Sequence, residues 1–144
     1  EGDIKKAAEI FKPSSFDVIT TNPPYMNFEG GIKNSYDPKT IARHEVLCSL
    51  DDVAFAAQRL LKFGGKFFMV HRPHRLTDIM CVLREHKLEP KRIRFVQPYA
   101  DREPNMVLVE AVRSGKPMIK VMPTLVIYNS DGTYTQETLD IYYN

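Results

Sequence analysis

The sequence is poor in cysteine, with only Cys48 and Cys81 among 144 residues. Two thiols so far apart form neither a disulfide framework nor a zinc-binding cluster. We therefore predict two reduced thiols buried in the core of a cytoplasmic protein, and no metal site. Tryptophan is absent, and no apolar run approaches the roughly 18–20 residues that a membrane-spanning helix needs.

An excess of charge of one sign is also lacking, because the net charge is only +2. Composition alone therefore does not indicate a nucleic-acid-binding protein. Basic residues are nevertheless concentrated in one stretch, which contains Arg72, Arg75, Arg84, Lys87, Lys91, Arg92 and Arg94 together with His71, His74 and His86. Such a stretch is either an ordinary solvated face or a surface that attracts a polyanion.

The order of apolar segments predicts an α/β domain. Strands are expected at residues 16–21, 66–71, 92–96 and 106–112, followed by a tail with an apolar segment at 125–128 and a turn at 129–132. One helix is expected to begin after a Ser49 cap and to be stopped by Gly64 and Gly65. A second is expected to begin at Pro73. The short connection between the strands at 92–96 and 106–112 predicts an antiparallel pair.

The strand at 16–21 is followed by Asn22, Pro23, Pro24 and Tyr25. Two consecutive prolines end a strand and fix the backbone. An asparagine oxygen and a rigid backbone carbonyl could accept both hydrogens of an exocyclic amine, such as N6 of adenine, and aim its lone pair at an electrophile. A tyrosine could stack on the ring. Ligands of parallel α/β sheets bind beyond the carboxyl ends of strands, where this corner is predicted to lie.

This corner resembles the NPPY motif of class I S-adenosylmethionine-dependent amino-methyltransferases. Segments along most of the chain are similar to the bacterial branch that methylates adenine N6 in valine tRNA: residues 42–45, 60–66, 70–76, 89–96, 105–111, 125–128 and 131–134. The resemblance implies the C-terminal part of a Rossmann-like methyltransferase sheet, with parallel strands, helices and a terminal antiparallel pair. It also implies S-adenosyl-L-methionine as cofactor and tRNA as partner.

The resemblance assigns roles to individual residues. Asn22 and the Pro23 carbonyl would hold the target amine, with Pro24 and Tyr25 completing the catalytic corner. Asp3 and Ile4 fall where the family contacts its cofactor. Predicted substrate-binding residues are Arg43, His44, Arg72, His74 and Arg75. Guanine N2 in ribosomal RNA and glutamine in a protein remain alternative targets, and a non-catalytic interaction module is a further alternative. Tyr134, Tyr142 and Tyr143 are expected to pack within the tail.

The family's Gly-rich cofactor turn has no counterpart in this sequence. We therefore interpret residues 1–144 as a single partial methyltransferase domain, with residues 114–144 as its C-terminal extension. We expect this chain alone to bind the cofactor weakly or not at all and to be inactive. In the family's sheet the strand at 16–21 is internal, so its exposed edge is expected to cause self-association.

Overall fold

A computed structural model of the protein describes residues 3–23 and 49–143. The described residues form a six-stranded sheet: β1 (Phe16–Thr21), β2 (Leu61–His71), β3 (Leu88–Gln97), β4 (Met106–Arg113), β5 (Lys120–Val121) and β6 (Leu125–Val126). A 3-10 turn (Ile4–Lys6) continues into α1 (Ala7–Ile10). The longer helices are α2 (Leu50–Leu60), α3 (Leu76–Glu85) and α4 (Gln136–Tyr143).

The strand order is β1-β2-β4-β3-β5, and β6 also pairs with β3. β1 pairs parallel with β2, whereas β4 pairs antiparallel with both β2 and β3. The predicted α/β class and the predicted antiparallel pair are therefore confirmed. The two short tail strands pair parallel with β3, and β5 was not predicted.

Helices α2 and α3 cover one face of the sheet. The core contains Val53, Ala57, Phe67, Ile79 and Val109 among others, and Phe67 and Ile79 are fully buried. α2 begins at a reciprocal capping box, in which the Asp52 N–H donates to Ser49 Oγ (3.1 Å) and the Ser49 N–H donates to Asp52 Oδ2 (2.9 Å). Because both orphan amides at the helix start are satisfied, the predicted Ser49 cap is confirmed.

The prediction that Gly64 and Gly65 stop the first helix is wrong. α2 ends at Leu60, and β2 starts at once with Leu61, so both glycines lie inside a strand. Pairing with β1 shifts there, from Phe16 opposite Leu61 to Val18 opposite Lys66. Gly64 has a positive φ of 75°, which a residue without a Cβ adopts without strain. The glycines thus form an irregularity in β2 rather than a helix stop.

The predicted burial of Cys81 is wrong, and the predicted packing of the tail tyrosines holds for one of the three. Cys81 is exposed on α3 instead of lying in the core, because α3 turns Ile79 and Leu83 inward. Tyr134 packs on Tyr128 within the tail, with ring centroids 5.1 Å apart, as predicted, whereas Tyr142 and Tyr143 are 76% and 80% exposed and do not pack as predicted. Cys48 lies outside the described residues. None of the helices within residues 3–23 and 49–143 is long and apolar enough to span a membrane.

Candidate active site

The carboxyl ends of three strands meet at one edge of the sheet. β1 and β2 are parallel, with Thr21 opposite Met69. β3 runs in the same direction as β2, because both pair antiparallel with β4. Chain segments that leave β1, β2 and β3 therefore emerge at the same edge, with the start of β4 between the ends of β2 and β3. We call this boundary the carboxyl edge; in sheets of this class it is where ligands bind.

Asn22 and Pro23 directly follow β1 at the carboxyl edge. Asn22 is exposed, and Pro23 is half-buried. The first two residues of the predicted catalytic corner are thus accessible beside the end of β2. The other two, Pro24 and Tyr25, lie outside the described residues, as do the predicted substrate-binding residues Arg43 and His44.

The remaining predicted substrate-binding residues follow β2 at the same edge. Arg72 Nη1 donates to the Asn105 carbonyl (3.0 Å), which ties the end of β2 to the residues before β4. Arg75 Nε donates to Asp78 Oδ2 (2.7 Å) at the start of α3. His74 is exposed on the 3-10 turn Pro73–Arg75. The structure therefore places Arg72, His74 and Arg75 just after the end of β2, the strand that pairs with β1, and Asn22 follows the end of β1.

His71, the last residue of β2, is a buried polar residue at this edge that the sequence-based site did not include. Its Nδ1 accepts a hydrogen bond from the Arg72 N–H (2.8 Å). Burial, and next the positive charge of Arg75, lower the pKa of His71 below its usual value. The imidazole is therefore neutral at physiological pH. A polar residue at the end of an apolar strand beside the corner was the sequence signal for it.

Asp3 and Ile4 lie at the start of the described chain. Asp3 Oδ1 accepts a hydrogen bond from the Lys5 N–H (3.0 Å) and caps the first 3-10 turn. Ile4 is half-buried against the core. Asp3 supplies an exposed carboxylate. The cofactor role of Asp3 and Ile4 stays a prediction.

The chemistry available at the corner is that of hydrogen-bond acceptors. A carboxamide oxygen on Asn22 and the carbonyl of Pro23 can each accept one hydrogen of an amine. Acceptors fixed in advance orient a weak nucleophile without the cost of reorganising during the reaction. A proline backbone provides such fixation. The corner is thus suited to holding a planar amine.

Comparison with curated proteins confirms the resemblance stated above. The chain is 27% identical over 139 residues to a tRNA1(Val) (adenine(37)-N6)-methyltransferase of Aeromonas hydrophila, covering 96% of this chain and 57% of the relative. It is 31% identical over 128 residues to the protein of the same name from Dyadobacter fermentans, covering 86% of this chain and 51% of that relative. The chain thus spans about half the length of the curated relatives it matches. No protein-family model matches it.

Solved structures agree on the fold. A predicted O-methyltransferase of Agrobacterium tumefaciens superposes with a TM-score of 0.69 at 16% identity, covering 90% of this chain and 51% of its own. A candidate DNA modification methylase of Thermus thermophilus, in complex with S-adenosyl-L-methionine, superposes with a TM-score of 0.53 at 19% identity. The match covers 96% of this chain and 59% of that one. At these identities the similarity establishes the fold, and the predicted Rossmann-like methyltransferase sheet is confirmed.

Proposed function

We propose that this chain is the amine-binding part of an S-adenosylmethionine-dependent N-methyltransferase that acts on adenine N6 in tRNA. The observation that carries the proposal is the position of Asn22 and Pro23, which leave β1 at the carboxyl edge beside the end of β2. Homology to curated enzymes named for adenine N6 in tRNA supports this target over guanine N2 or a protein glutamine.

Each residue has a stated role in this proposal. Asn22 and the Pro23 carbonyl accept the two amine hydrogens, while Pro24 keeps the corner rigid and Tyr25 stacks on the base. Contacts to RNA are assigned to Arg43, His44, Arg72, His74 and Arg75. S-adenosylmethionine supplies the methyl group when bound, and Asp3 and Ile4 are assigned to its contact. A base in a tRNA loop is already partly unstacked, so turning it into such a corner costs little.

We also propose that residues 1–144 are one partial methyltransferase domain with residues 114–144 as its C-terminal extension. The support is that the chain matches about half the length of its relatives. The 144-residue chain alone is accordingly expected to bind S-adenosylmethionine weakly and to transfer no methyl group. A cytoplasmic location follows from the proposed tRNA substrate.

The test is methyl transfer by the full-length gene product, with transcribed tRNA and methyl-labelled cofactor. Asn22→Ala should reduce the rate roughly a hundredfold or more, as loss of one preorganised hydrogen-bond partner commonly does. Asn105→Ala is the matched control, because this exposed asparagine lies at the same edge and uses its backbone carbonyl for Arg72. Full activity of the Asn22 variant would refute the role of Asn22. Labelling of ribosomal RNA or of a protein instead of tRNA would refute the proposed substrate.

Self-association is proposed for the 144-residue chain. β1 is the edge strand of the described sheet, and Val18 on it is 50% exposed. Nearby, Ile10 and Phe11 are 60% and 48% exposed. An open apolar strand edge is a template for pairing with another chain. Light scattering should give a mass that rises with protein concentration, and Val18→Lys should reduce that rise. A monomeric mass at every concentration would contradict this proposal.

A further inference from the structure

Three tyrosines form a stack at the carboxyl edge, on the side away from Asn22. Tyr99 follows the end of β3, and its ring centroid lies 5.5 Å from that of Tyr128, with planes tilted by 35°. Tyr134 also stacks on Tyr128, with ring centroids 5.1 Å apart and planes at 24°. Tyr128 and Tyr134 also form a β-bridge across the turn between them. Tyr134 is 48% exposed, which is high for a ring used only for packing.

The stack is held by backbone and side-chain hydrogen bonds. The Tyr128 N–H donates to the Pro98 carbonyl (2.9 Å), which continues the pairing of β6 with β3. The Asn129 N–H donates to the Thr133 carbonyl (2.8 Å), and Asn129 Nδ2 donates to the Tyr134 carbonyl (3.1 Å). The turn that carries Tyr128 and Tyr134 is therefore ordered before any ligand binds, which reduces the entropy lost on binding.

A cavity of about 670 Å³ opens beside this stack. It is lined by Tyr99 and Tyr128, by the turn residue Asn129, and by the charged residues Asp101 and Arg102. This volume is in the range of small-ligand sites, which combine aromatic walls with a few polar groups. Both charged residues are exposed, and no ion pair joins Arg102 to another residue of the described ranges.

We propose that the cavity bounded by Tyr99, Tyr128 and Arg102 binds an unpaired base of the RNA substrate. An aromatic ring offers a stacking face to any base, and a guanidinium can contact the adjoining phosphate. Asp101 provides an acceptor for an amine or imino hydrogen of the bound base. This inference rests on the proposed function, because it takes the substrate to be RNA.

The position of the cavity indicates which base it takes. Four strand spacings separate β1 from β6 in the order β1-β2-β4-β3-β6. At about 4.8 Å each, the tyrosines lie roughly 19 Å from Asn22 along the carboxyl edge. That span corresponds to about five or six stacked nucleotides at roughly 3.4 Å each. The bound base is therefore not the target adenine but one several nucleotides away. Arg72 and Asn105 lie between the two sites.

Fluorescence anisotropy with the 144-residue chain tests the proposal at one fixed salt concentration. The probes are a labelled RNA hairpin with a single-stranded loop and a fully paired RNA duplex of equal charge. Tyr99→Leu should weaken hairpin binding roughly 5- to 150-fold, which is the range for loss of one base–aromatic stack. Binding of the duplex should not change. Tyr99→Phe should retain hairpin affinity within about twofold, because it keeps the ring.

Tyr142→Leu is the matched control, because this tyrosine is 76% exposed on α4 and outside the cavity. Photo-crosslinking of a hairpin with 4-thiouridine in its loop gives a second readout on the unaltered chain, with adducts expected at residues 99–102 or 126–135. Unchanged hairpin affinity of Tyr99→Leu, adducts elsewhere, or no binding of the hairpin would each overturn the site. The methyl-transfer test of Asn22 is separate, so the proposed function can survive the loss of this inference.

Discussion

Substitution of Gly65 should loosen the strand that leads to Asn22. A Cβ built on Gly65 would lie 2.8 Å from the Lys62 carbonyl oxygen and 3.2 Å from the Asp17 carbonyl oxygen. Both atoms are backbone, and Asp17 belongs to β1. Because neither can rotate away as a side chain can, Gly65→Ala must distort β2 around Lys62 and also displace β1 slightly at Asp17. Overpacking of this kind costs about 1–3 kcal/mol.

Gly64 provides a matched comparison. A Cβ there would meet nothing within 4 Å, but φ is +75°, so Gly64→Ala carries only backbone strain of about 1–2 kcal/mol. Both substitutions also reduce the conformational entropy of the unfolded chain, which raises the free energy of unfolding by about 0.4–1 kcal/mol. The 2.8 Å approach to a backbone atom places Gly65→Ala near the upper end of its range, about 3 kcal/mol. After the gain is subtracted, we expect a net loss of about 2 kcal/mol for Gly65→Ala and about 1 kcal/mol or less for Gly64→Ala. For a chain of this length, each kcal/mol lowers Tm by roughly 3–4 °C.

Urea denaturation followed by circular dichroism measures the two free energies of unfolding. Hydrogen exchange should show faster exchange of β1 amides in Gly65→Ala, and unchanged protection in β3 and β4. The reasoning is refuted if Gly65→Ala is as stable as Gly64→Ala, or if β1 keeps its protection. Because Asn22 continues directly from β1, Gly65→Ala in the full-length protein should also reduce methyl transfer.

Two smaller effects follow from local hydrogen bonds and burial. Ser49→Ala should lower the free energy of unfolding by about 1 kcal/mol, because the Asp52 N–H loses its cap; an unchanged urea midpoint would contradict this. The lowered pKa of His71 means that the unfolded state takes up a proton first as pH falls below about 6.5. The free energy of unfolding should therefore fall from pH 7 to pH 5.5, and it should fall less in His71→Gln. An NMR titration of His71 with a midpoint at or above 6.5 would refute the lowered pKa as the cause.

Local sequence signals predicted most of the fold but not its junctions. The Ser49 cap and the strand at Phe16–Thr21 were predicted because capping and β-branched runs act over a few residues. The boundary between α2 and β2 was missed because helix ends are commonly marked by glycine, whereas Leu61 already pairs with Phe16. That pairing depends on a partner distant in sequence, which propensity cannot show.

The site was predicted in part for a similar reason. The Asn22–Pro23 corner is contiguous in sequence, so its motif was visible without a structure. The stack of Tyr99 on Tyr128 depends on the pairing of β6 with β3. The sequence around either tyrosine therefore does not predict the stack. His71 could have been included from its place next to Arg72, but its burial depends on tertiary packing.

The strand order has a consequence for the sequence of events in folding. β3 and β4 are joined by residues 98–105, and the tail strands that pair with β3 follow β4 soon after. Lys91 Nζ on β3 reinforces this unit by donating to the Lys116 and Met118 carbonyls, at 2.9 Å each. β1, by contrast, reaches β2 only after a long chain closure and has one neighbour in the described sheet. Since contacts close in sequence form at a lower entropic cost, the half that contains the tyrosine stack should assemble first and the Asn22–Pro23 corner last.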